Sequence, residues 1–183
     1  MPNQATVTLS GRQVAERIEA GVPGAVSEAN DGFAVLAPDK MFDAMRVIRD
    51  DAVLDGKFLV QMCSVDMITR MDVVYHFSSL AQNHIFEVKV PADHERPAVP
   101  SITGLWIGAW LQEREIYDLM GVHFDGHPSL TRLFLWDAFP GHPLRKDFMA
   151  LPGGQKTGLS RFPKQVPGES GQEFRPSHPG TGV

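Results

Sequence analysis

The sequence predicts an α+β fold, in which an antiparallel sheet with packed helices is followed by an extended C-terminal arm. Apolar residues recur at helical spacing in three segments. In other segments they alternate with polar residues or form short continuous runs, which favours strands. The links between the last three strand candidates are short, which favours an antiparallel meander. Helices and strands are too unevenly mixed for a doubly wound sheet. The predicted domain spans residues 1–150, and a basic tail rich in proline and glycine spans residues 151–183.

The first half of the chain contains clear helix and hairpin signals. Ser10 and Gln13 have the spacing of a capping box, which predicts a first helix that ends at Gly21. The stretch "GAVSEANDGFAVLAP" then predicts two short strands around the Asp-Gly pair at 31–32. Pro38 is expected to open a second helix, whose apolar face contains Met41, Phe42, Met45 and Ile48.

Three strands are predicted next. "KFLVQMCSV" is almost continuously apolar, as in a central strand, whereas "MDVVYHF" and "IFEVKV" alternate between apolar and polar positions. The apolar face of the second strand contains Met71, Val73, Tyr75 and Phe77, and that of the third contains Phe86, Val88 and Val90.

A third helix is predicted in the run "LWIGAWLQEREIYDLMGV", and it contains an unexpected carboxylate. Its apolar stripe consists of Leu105, Trp106, Ala109, Trp110, Ile116, Tyr117 and Met120. Glu113 lies on the same stripe, where a buried carboxylate is costly unless a cation or several donors meet it. The basic residues available downstream are Arg132, Arg145 and Lys146.

The other charges of this helix allow two interpretations. Glu113, Glu115 and Asp118 could supply an acid–base pair of the glycosidase kind. However, residues two apart on a helix point in different directions, so Glu113 and Glu115 do not face each other. Glu115 with Asp118 and Arg114 with Asp118 have the spacing of helical neighbours, and an ion-pair network is the simpler interpretation.

Composition excludes several classes of protein. The net charge of −5 and the pI of about 5.8 argue against a nucleic-acid binder. Cys63 is the single cysteine, which excludes an internal disulfide framework, an iron–sulfur cluster and a cysteine-based zinc site. We expect it to be a small core residue in a reducing compartment. The N-terminus lacks the apolar stretch of a signal peptide, and no apolar run approaches the roughly 18 residues of a membrane span.

The histidines do not indicate a metal site. His123 and His127 have the H-x-x-x-H spacing that holds zinc on a helix, but the glycines and the proline around them prevent a helix through both. His127 and His142 each precede a proline, and we expect both side chains to be fixed in rigid turns. Phosphate-binding, dinucleotide-binding and nucleophile-elbow motifs are also missing from the sequence.

The C-terminal 43 residues change in character. They contain six of the chain's 14 prolines and eight of its 17 glycines, and six lysines and arginines against three acidic residues. Such a composition cannot fold alone. It describes either a disordered tail or an arm that becomes ordered along a partner; spaced apolar anchors at Leu159, Phe162, Val166 and Phe174 favour the arm.

Residues 99–148 combine charged and turn residues in the runs Glu-Arg-Glu at 113–115, Gly-His-Pro at 126–128 and Gly-His-Pro-Leu-Arg-Lys-Asp-Phe at 141–148. This combination strongly resembles the C subunit of bacterial respiratory complex I, the proton-pumping NADH–quinone oxidoreductase, whose family includes chloroplast and mitochondrial counterparts. The residues that carry the resemblance begin with Glu113, Arg114, Glu115, Asp118, Gly121 and Phe124. They continue with Gly126, His127, Pro128, Leu130 and Arg132, and end with Gly141, His142, Pro143, Leu144, Arg145, Lys146, Asp147 and Phe148.

The resemblance implies a peripheral-arm subunit with no catalytic, cofactor-binding or metal-binding residues of its own. NAD, FMN, iron–sulfur clusters and quinone would be held by partner subunits. The chain would pack against the hydrogenase-like subunit that helps form the quinone site, on the cytoplasmic side of the cell inner membrane. The motif residues from Glu113 to Asp147 would then fix the local structure and face a neighbouring subunit.

Three alternatives remain open from the sequence. The chain could serve as the equivalent subunit of a membrane-bound hydrogenase or a deazaflavin-dependent dehydrogenase. It could be a free-standing enzyme that uses Glu113 or Glu115 with a histidine. It could also be an adaptor that binds nucleic acid through its basic tail, although the acidic body of the chain argues against that role.

Overall fold

A computed structural model describes residues 5–137, 139 and 141–148, and it confirms the predicted α+β class. In this part of the chain, a six-stranded sheet and a separate two-stranded sheet pack with three helices around one hydrophobic core. Within these ranges the longest helix has 12 residues, and no helix combines the length and apolarity needed to cross a bilayer. The predicted tail, residues 151–183, lies outside the described residues.

The helices and strands follow the predicted order, with three additional short strands. The helices are α1 (Gly11–Gly21), α2 (Met41–Asp50) and α3 (Ala109–Met120). The strands are β1 (Val7–Thr8), β2 (Val26–Ala29), β3 (Ala34–Leu36), β4 (Phe58–Asp66), β5 (Arg70–Ser79), β6 (His84–Asp93), β7 (Ala98–Pro100) and β8 (His123–Asp125).

Helix α1 begins with the predicted capping box. The Ser10 hydroxyl accepts the N–H of Gln13 at 3.3 Å, and the Gln13 side chain accepts the N–H of Ser10 at 2.9 Å. Two N–H groups that would otherwise lack partners are thereby satisfied. Arg17 then binds Asp51, just after α2, through two hydrogen bonds of 3.2 and 2.6 Å, which joins the two helices.

Helix α2 differs from its prediction at both its start and its face. Pro38 opens a short 3₁₀ turn, and the α-helix begins at Met41. Met41, Met45 and Ile48 are fully buried as expected, but Phe42 is 39% exposed. The prediction that Phe42 faces the core is wrong, because Ala44 occupies the inward position beside Met41 and Met45.

Strand β5 lies at the centre of the predicted meander. It pairs antiparallel with β4 on one side and with β6 on the other. The register places Met62, Tyr75 and Val88 in one row across the three strands, and all three are buried. The alternation predicted for β5 and β6 is confirmed, since their apolar positions line the core.

Parallel pairings complete both sheets, and local sequence patterns do not predict them. Strands β1 and β3 both run parallel to β6, and β7 runs parallel to β8. The large sheet therefore has the order β2-β3-β6-β5-β4, with β1 also pairing with β6. This arrangement leaves β4 at one edge, beside α3, so the prediction that its apolar run forms a central strand is wrong.

Cys63 occupies a different environment from the one predicted. It lies opposite Val74 of β5 and is half-buried, so it is not a core residue. Burial raises the pKa of its thiol above the usual value. A half-buried thiol with a raised pKa is a weak nucleophile, because the thiolate is the reactive form.

Candidate functional site

Helix α3 lies against the edge strand β4 and is fixed there by polar contacts. The Gln112 side chain accepts the backbone N–H of Met62, an edge group that β5 does not reach. Just before the helix, the Trp106 indole donates to the carbonyl of Gly56 at 3.0 Å. These contacts cover an exposed strand edge, which would otherwise offer unpaired backbone groups to other chains.

Glu113 is fully buried, as its position on the apolar stripe predicted, but it has no cationic partner among the described residues. Its carboxylate accepts the hydroxyl of Ser101 at 2.7 Å and the backbone N–H of Ile102 at 2.8 Å. Burial raises the pKa of Glu113 to about 7, although the two hydrogen bonds act in the opposite direction. The expectation that Arg132, Arg145 or Lys146 meets Glu113 is therefore wrong.

Asp118 is the carboxylate that pairs with Arg132. It is fully buried, and its Oδ1 accepts Nη1 of Arg132 at 2.9 Å. Its Oδ2 accepts three consecutive backbone N–H groups, those of Leu133, Phe134 and Leu135, at 3.0, 2.7 and 2.9 Å. Burial favours the neutral form, but these N–H donors and the guanidinium together lower the pKa of Asp118 below its usual value.

The Arg132 guanidinium also organises the segment that follows it. It donates to the carbonyl of Phe139 at 3.3 Å and to that of Gly141 at 3.2 and 3.3 Å. Its side chain is only 17% exposed. Through Asp118 and Arg132, helix α3 is thus connected to residues 133–135 and to residues 139 and 141.

The predicted ion pairs along the surface of α3 do not form. Arg114 instead donates to the carbonyl and hydroxyl of Thr131 at 3.1 and 3.0 Å and to the carbonyl of Arg132 at 3.0 Å. Glu115 is exposed to solvent. Arg114 and Asp118 therefore both bind the segment after residue 130 and do not bind each other.

The histidines of the two Gly-His-Pro motifs both contact backbone carbonyls of α3, through different ring nitrogens. Nε2 of His127 lies 3.1 Å from the carbonyl of Trp110, and Nδ1 of His142 lies 2.9 Å from the carbonyl of Asp118. Because a carbonyl can only accept, each histidine donates to a backbone carbonyl of α3, one near each end of the helix. Nδ1 of His127 also accepts the N–H of Ser129 at 3.0 Å. Burial lowers the pKa of His142, which favours its neutral form.

Gly121 ends α3 and makes room for His142. Its φ of +78° is left-handed, and its N–H donates to the carbonyl of Tyr117 at 3.0 Å. A Cβ atom at this position would lie 2.6 Å from Cδ2 of His142. Both the backbone conformation and the close approach of the imidazole therefore require glycine.

The last described residues return to the far end of the sheet. Asp66 accepts the N–H of Lys146 at 2.9 Å and contacts Nε2 of His94 at 3.1 Å. Arg145 donates to the carbonyl of His94 at 2.9 Å and forms an ion pair with Asp147. Both predicted partners of Glu113 from this region, Arg145 and Lys146, are thus bound near β4 and β6.

The contact of His123 is local. Nδ1 of His123 lies 3.0 Å from Oδ1 of Asp125, and both residues are exposed. Within the described ranges, no group of three or more histidine, cysteine or acidic side chains could hold a metal ion. His123 and His127 make separate contacts, the second with Trp110.

The structure identifies two polar partners that the sequence did not indicate. Ser101 and Thr131 are the side-chain partners of Glu113 and Arg114, and each lies outside the helix that it binds. Neither residue belongs to a local motif. Their roles depend on how the chain folds back on α3, which spacing along the sequence does not reveal.

Apolar side chains remain exposed on the segment that Asp118 and Arg132 hold. Phe134 is 64%, Trp136 49% and Leu144 60% exposed. Large apolar side chains on the surface of a rigid segment are typical of protein interfaces. The arrangement as a whole holds a shaped surface in place, while both buried carboxylates of α3 accept hydrogen bonds from the protein itself.

Comparison with known proteins agrees with this description. Residues 34–153 match the family described as "Respiratory-chain NADH dehydrogenase, 30 Kd subunit". The C subunit of NADH-quinone oxidoreductase from Roseiflexus sp. (strain RS-1) is 39% identical over 148 residues, covering 77% of this chain and 85% of the relative. The protein of the same name from Mesorhizobium japonicum is 41% identical over 162 residues, covering 83% and 80%.

Solved structures show the same fold. A trypsin-resistant fragment of Nqo5 aligns with a TM-score of 0.55 at 29% identity and covers 65% of this chain and 98% of the fragment. A chain of the archaeal membrane-bound sulfane sulfur reductase aligns with a TM-score of 0.63 at 20% identity, covering 90% and 99%, a likeness of fold alone. The predicted family is confirmed: the chain belongs to the family of the 30 kDa subunit of respiratory-chain NADH dehydrogenase, known in bacteria as the C subunit of NADH-quinone oxidoreductase.

Proposed function

We propose that this chain is a cofactor-less scaffold in the peripheral arm of a proton-translocating NADH–quinone oxidoreductase. In this role it positions the hydrogenase-like subunit that helps form the quinone site. NAD, FMN, iron–sulfur clusters and quinone belong to partner subunits in this proposal. The complex lies at the cell inner membrane, with this chain on its cytoplasmic side.

One observation carries the proposal: Asp118 uses its buried carboxylate entirely to hold the segment after α3. Four protein donors meet it, three from the backbone and one from Arg132. A general acid or base must instead reach a substrate proton within hydrogen-bonding distance. Glu113 is equally inaccessible, at 0% exposure. The geometry therefore supports a structural role over independent catalysis.

The exposed side chains of this segment supply the proposed contact with the partner. Phe134, Trp136 and Leu144 project from backbone that Asp118, Arg132 and Leu119 fix in place. A preorganised apolar surface loses little conformational entropy on binding, which increases affinity. Aromatic residues in such positions carry much of the binding energy at protein interfaces.

Exchange of Leu144 for serine tests this surface in the intact complex. Leu144→Ser should reduce the amount of the hydrogenase-like subunit that co-purifies from membranes, by about tenfold if Leu144 is a strong contact. Leu80→Ser is the matched control, since Leu80 is 80% exposed at the turn after β5, away from this segment. Equal recovery of the partner with both variants would contradict the proposed surface.

The same preparation distinguishes the kind of complex. Recovery of an NADH-binding flavoprotein subunit with the wild-type chain is the expected result. Recovery of hydrogenase or deazaflavin-dependent subunits in its place would assign the scaffold to a different enzyme. Metal and flavin analysis of the purified chain should find neither, and a stoichiometric amount of either would contradict the cofactor-less role.

A further inference from the structure

Glu113 occupies an unusual position between α3 and the sheet. Its side chain is fully buried, and the donors that meet it, Ser101 and Ile102, carry no charge. An ionised carboxylate can accept about four hydrogen bonds, so two donors leave it poorly solvated. Asp118, on the same helix, receives three backbone donors and an arginine.

The sheet supplies no positive charge to Glu113. The titratable group of β5 near Glu113 is Tyr75. Tyr75 is fully buried, and its hydroxyl makes no hydrogen bond within the described part of the chain. Burial, and then the nearby charge of Glu113, raise the pKa of Tyr75 well above its usual range. The phenol therefore stays neutral. The adjacent positions of β4, Met62 and Ser64, are uncharged.

The other elements around Glu113 also leave its charge uncompensated. The segment before α3 contributes Ser101, Ile102 and Thr103, all uncharged. None of the other charged groups of α3 meets Glu113: Arg114 donates to the backbone at 131 and 132, Asp118 binds Arg132, and Glu115 is exposed to solvent. A buried carboxylate without a cation is stabilised by binding a proton.

A pair of hydroxyl groups allows Glu113 to exist in both protonation states without moving any heavy atom. When Glu113 is ionised, the Ser101 hydroxyl donates to it at 2.7 Å. When Glu113 is protonated, its own O–H can donate to Ser101 Oγ across the same distance. The Ser101 proton then turns to Thr103 Oγ1, which lies 2.9 Å away. The Ile102 N–H continues to donate to the second carboxyl oxygen in both states.

We propose that Glu113, Ser101 and Thr103 form an internal proton-binding site, in which the folded chain takes one proton from solvent onto the Glu113 carboxyl group. Burial raises the pKa of this group to about 7 from its ordinary value of 4.5. The folded chain therefore binds this proton more tightly than the unfolded chain does. Its stability consequently decreases as the pH rises from 4.5 to about 7 and is independent of this group at higher pH.

Denaturation of the full chain at several pH values tests the site. Relative to Glu113→Gln, the unfolding equilibrium constant of the wild type should rise roughly 300-fold in total between a pH well below 4.5 and a pH well above 7, as a pKa difference of this size requires. Glutamine keeps the shape of the neutral acid and cannot titrate. Glu115→Gln is the matched control, since it changes an exposed glutamate of the same helix and should follow the wild type.

Infrared spectroscopy measures the proton directly and does not depend on variant stability. The carbonyl band of a protonated carboxylic acid should be present in the folded wild type at pH 6 and absent from Glu113→Gln. The pH at which half of this band has disappeared is the midpoint of the titration. Ser101→Ala should shift this midpoint to higher pH, because it removes a donor to the charged form. Thr103→Val should shift it to lower pH, because the neutral form loses the acceptor of the Ser101 proton. The same pH dependence in the wild type and Glu113→Gln, or unshifted midpoints in the two hydroxyl variants, would overturn the proposal.

Discussion

At the scale of single residues, two carboxylates five positions apart on one helix have opposite pKa shifts. Burial acts on both of them, yet only Asp118 has enough donors to keep its charge. The number and charge of the hydrogen-bond partners therefore decide the direction of the pKa shift. The exposed fraction does not decide it, because it is zero for both residues.

Replacement of Asp118 by asparagine should strongly destabilise the chain. The change removes the negative charge opposite the largely buried Arg132 guanidinium. Because the amide has one acceptor oxygen, its N–H₂ must also face either the guanidinium or the three backbone donors. Loss of one member of a buried ion pair costs about 3–5 kcal/mol of unfolding free energy, which urea denaturation measures. Glu115→Gln is the control, and its effect should stay within about 0.5 kcal/mol. Similar stabilities for Asp118→Asn and this control would contradict the structural role of Asp118.

The pH dependence of stability should also change with Asp118. Because its pKa is lowered from 3.8 in the folded chain, its contribution is complete above 3.8 and is lost as the pH falls through the folded pKa. Wild-type stability should therefore drop more steeply with acid than that of Asp118→Asn. Denaturation midpoints between pH 2 and pH 5 measure the difference. Parallel acid limbs in the two proteins would show that Asp118 has no lowered pKa.

At the scale of elements, the end of α3 depends on a glycine for two separable reasons. Gly121 and Gly126 both have left-handed backbones, with φ of +78° and +84°, so alanine at either position costs roughly 1–2 kcal/mol. Only at Gly121 would the new Cβ also collide with His142, since nothing lies within 4 Å of that of Gly126. Gly121→Ala should thus destabilise more than Gly126→Ala in thermal unfolding. Equal shifts of Tm would mean that His142 moves away freely.

The elements differ in how far local sequence determines them. The capping box of α1 and the alternation of β5 depend on neighbours along the chain, and both predictions are confirmed. The predicted face of α2 is wrong at Phe42, because the apolar period alone does not distinguish a core position from the flank of the helix. The short strands β1, β7 and β8 form through pairings with distant segments, which a window of local sequence does not contain.

In the candidate site, too, local sequence predicts some features, whereas contacts between distant segments determine others. Burial of Glu113 follows from the apolar stripe of α3 and is found in the structure. Its partners do not follow, because three downstream cations are plausible and the fold brings two neutral groups from residues 101–102 in their place. The sequence indicates Arg132 as a residue that binds a buried carboxylate, but the carboxylate is that of Asp118.

At the scale of the whole molecule, the described residues contain a complete hydrophobic core. We therefore predict that a chain ending at Leu151 keeps the cooperative thermal transition of the full chain and associates more weakly with its partner subunits. Differential scanning calorimetry and co-purification from membranes measure the two effects. Loss of the thermal transition would contradict the role of residues 152–183 as an arm for partners, and so would unchanged association.

The position of β6 in the large sheet has a consequence for synthesis on the ribosome. Both β1 and β3 are parallel partners of β6, which is translated about fifty residues after β3. At roughly 5–20 residues per second, the N-terminal hairpin and its two helices wait several seconds before their neighbouring strand emerges. During that interval the apolar faces of α1 and α2 have no sheet to cover, and they are natural targets for holding chaperones. Slow translation between the emergence of α2 and that of β6 from the ribosome would prolong this exposure, whereas the same delay after β6 has emerged would fall on strands that can already pair.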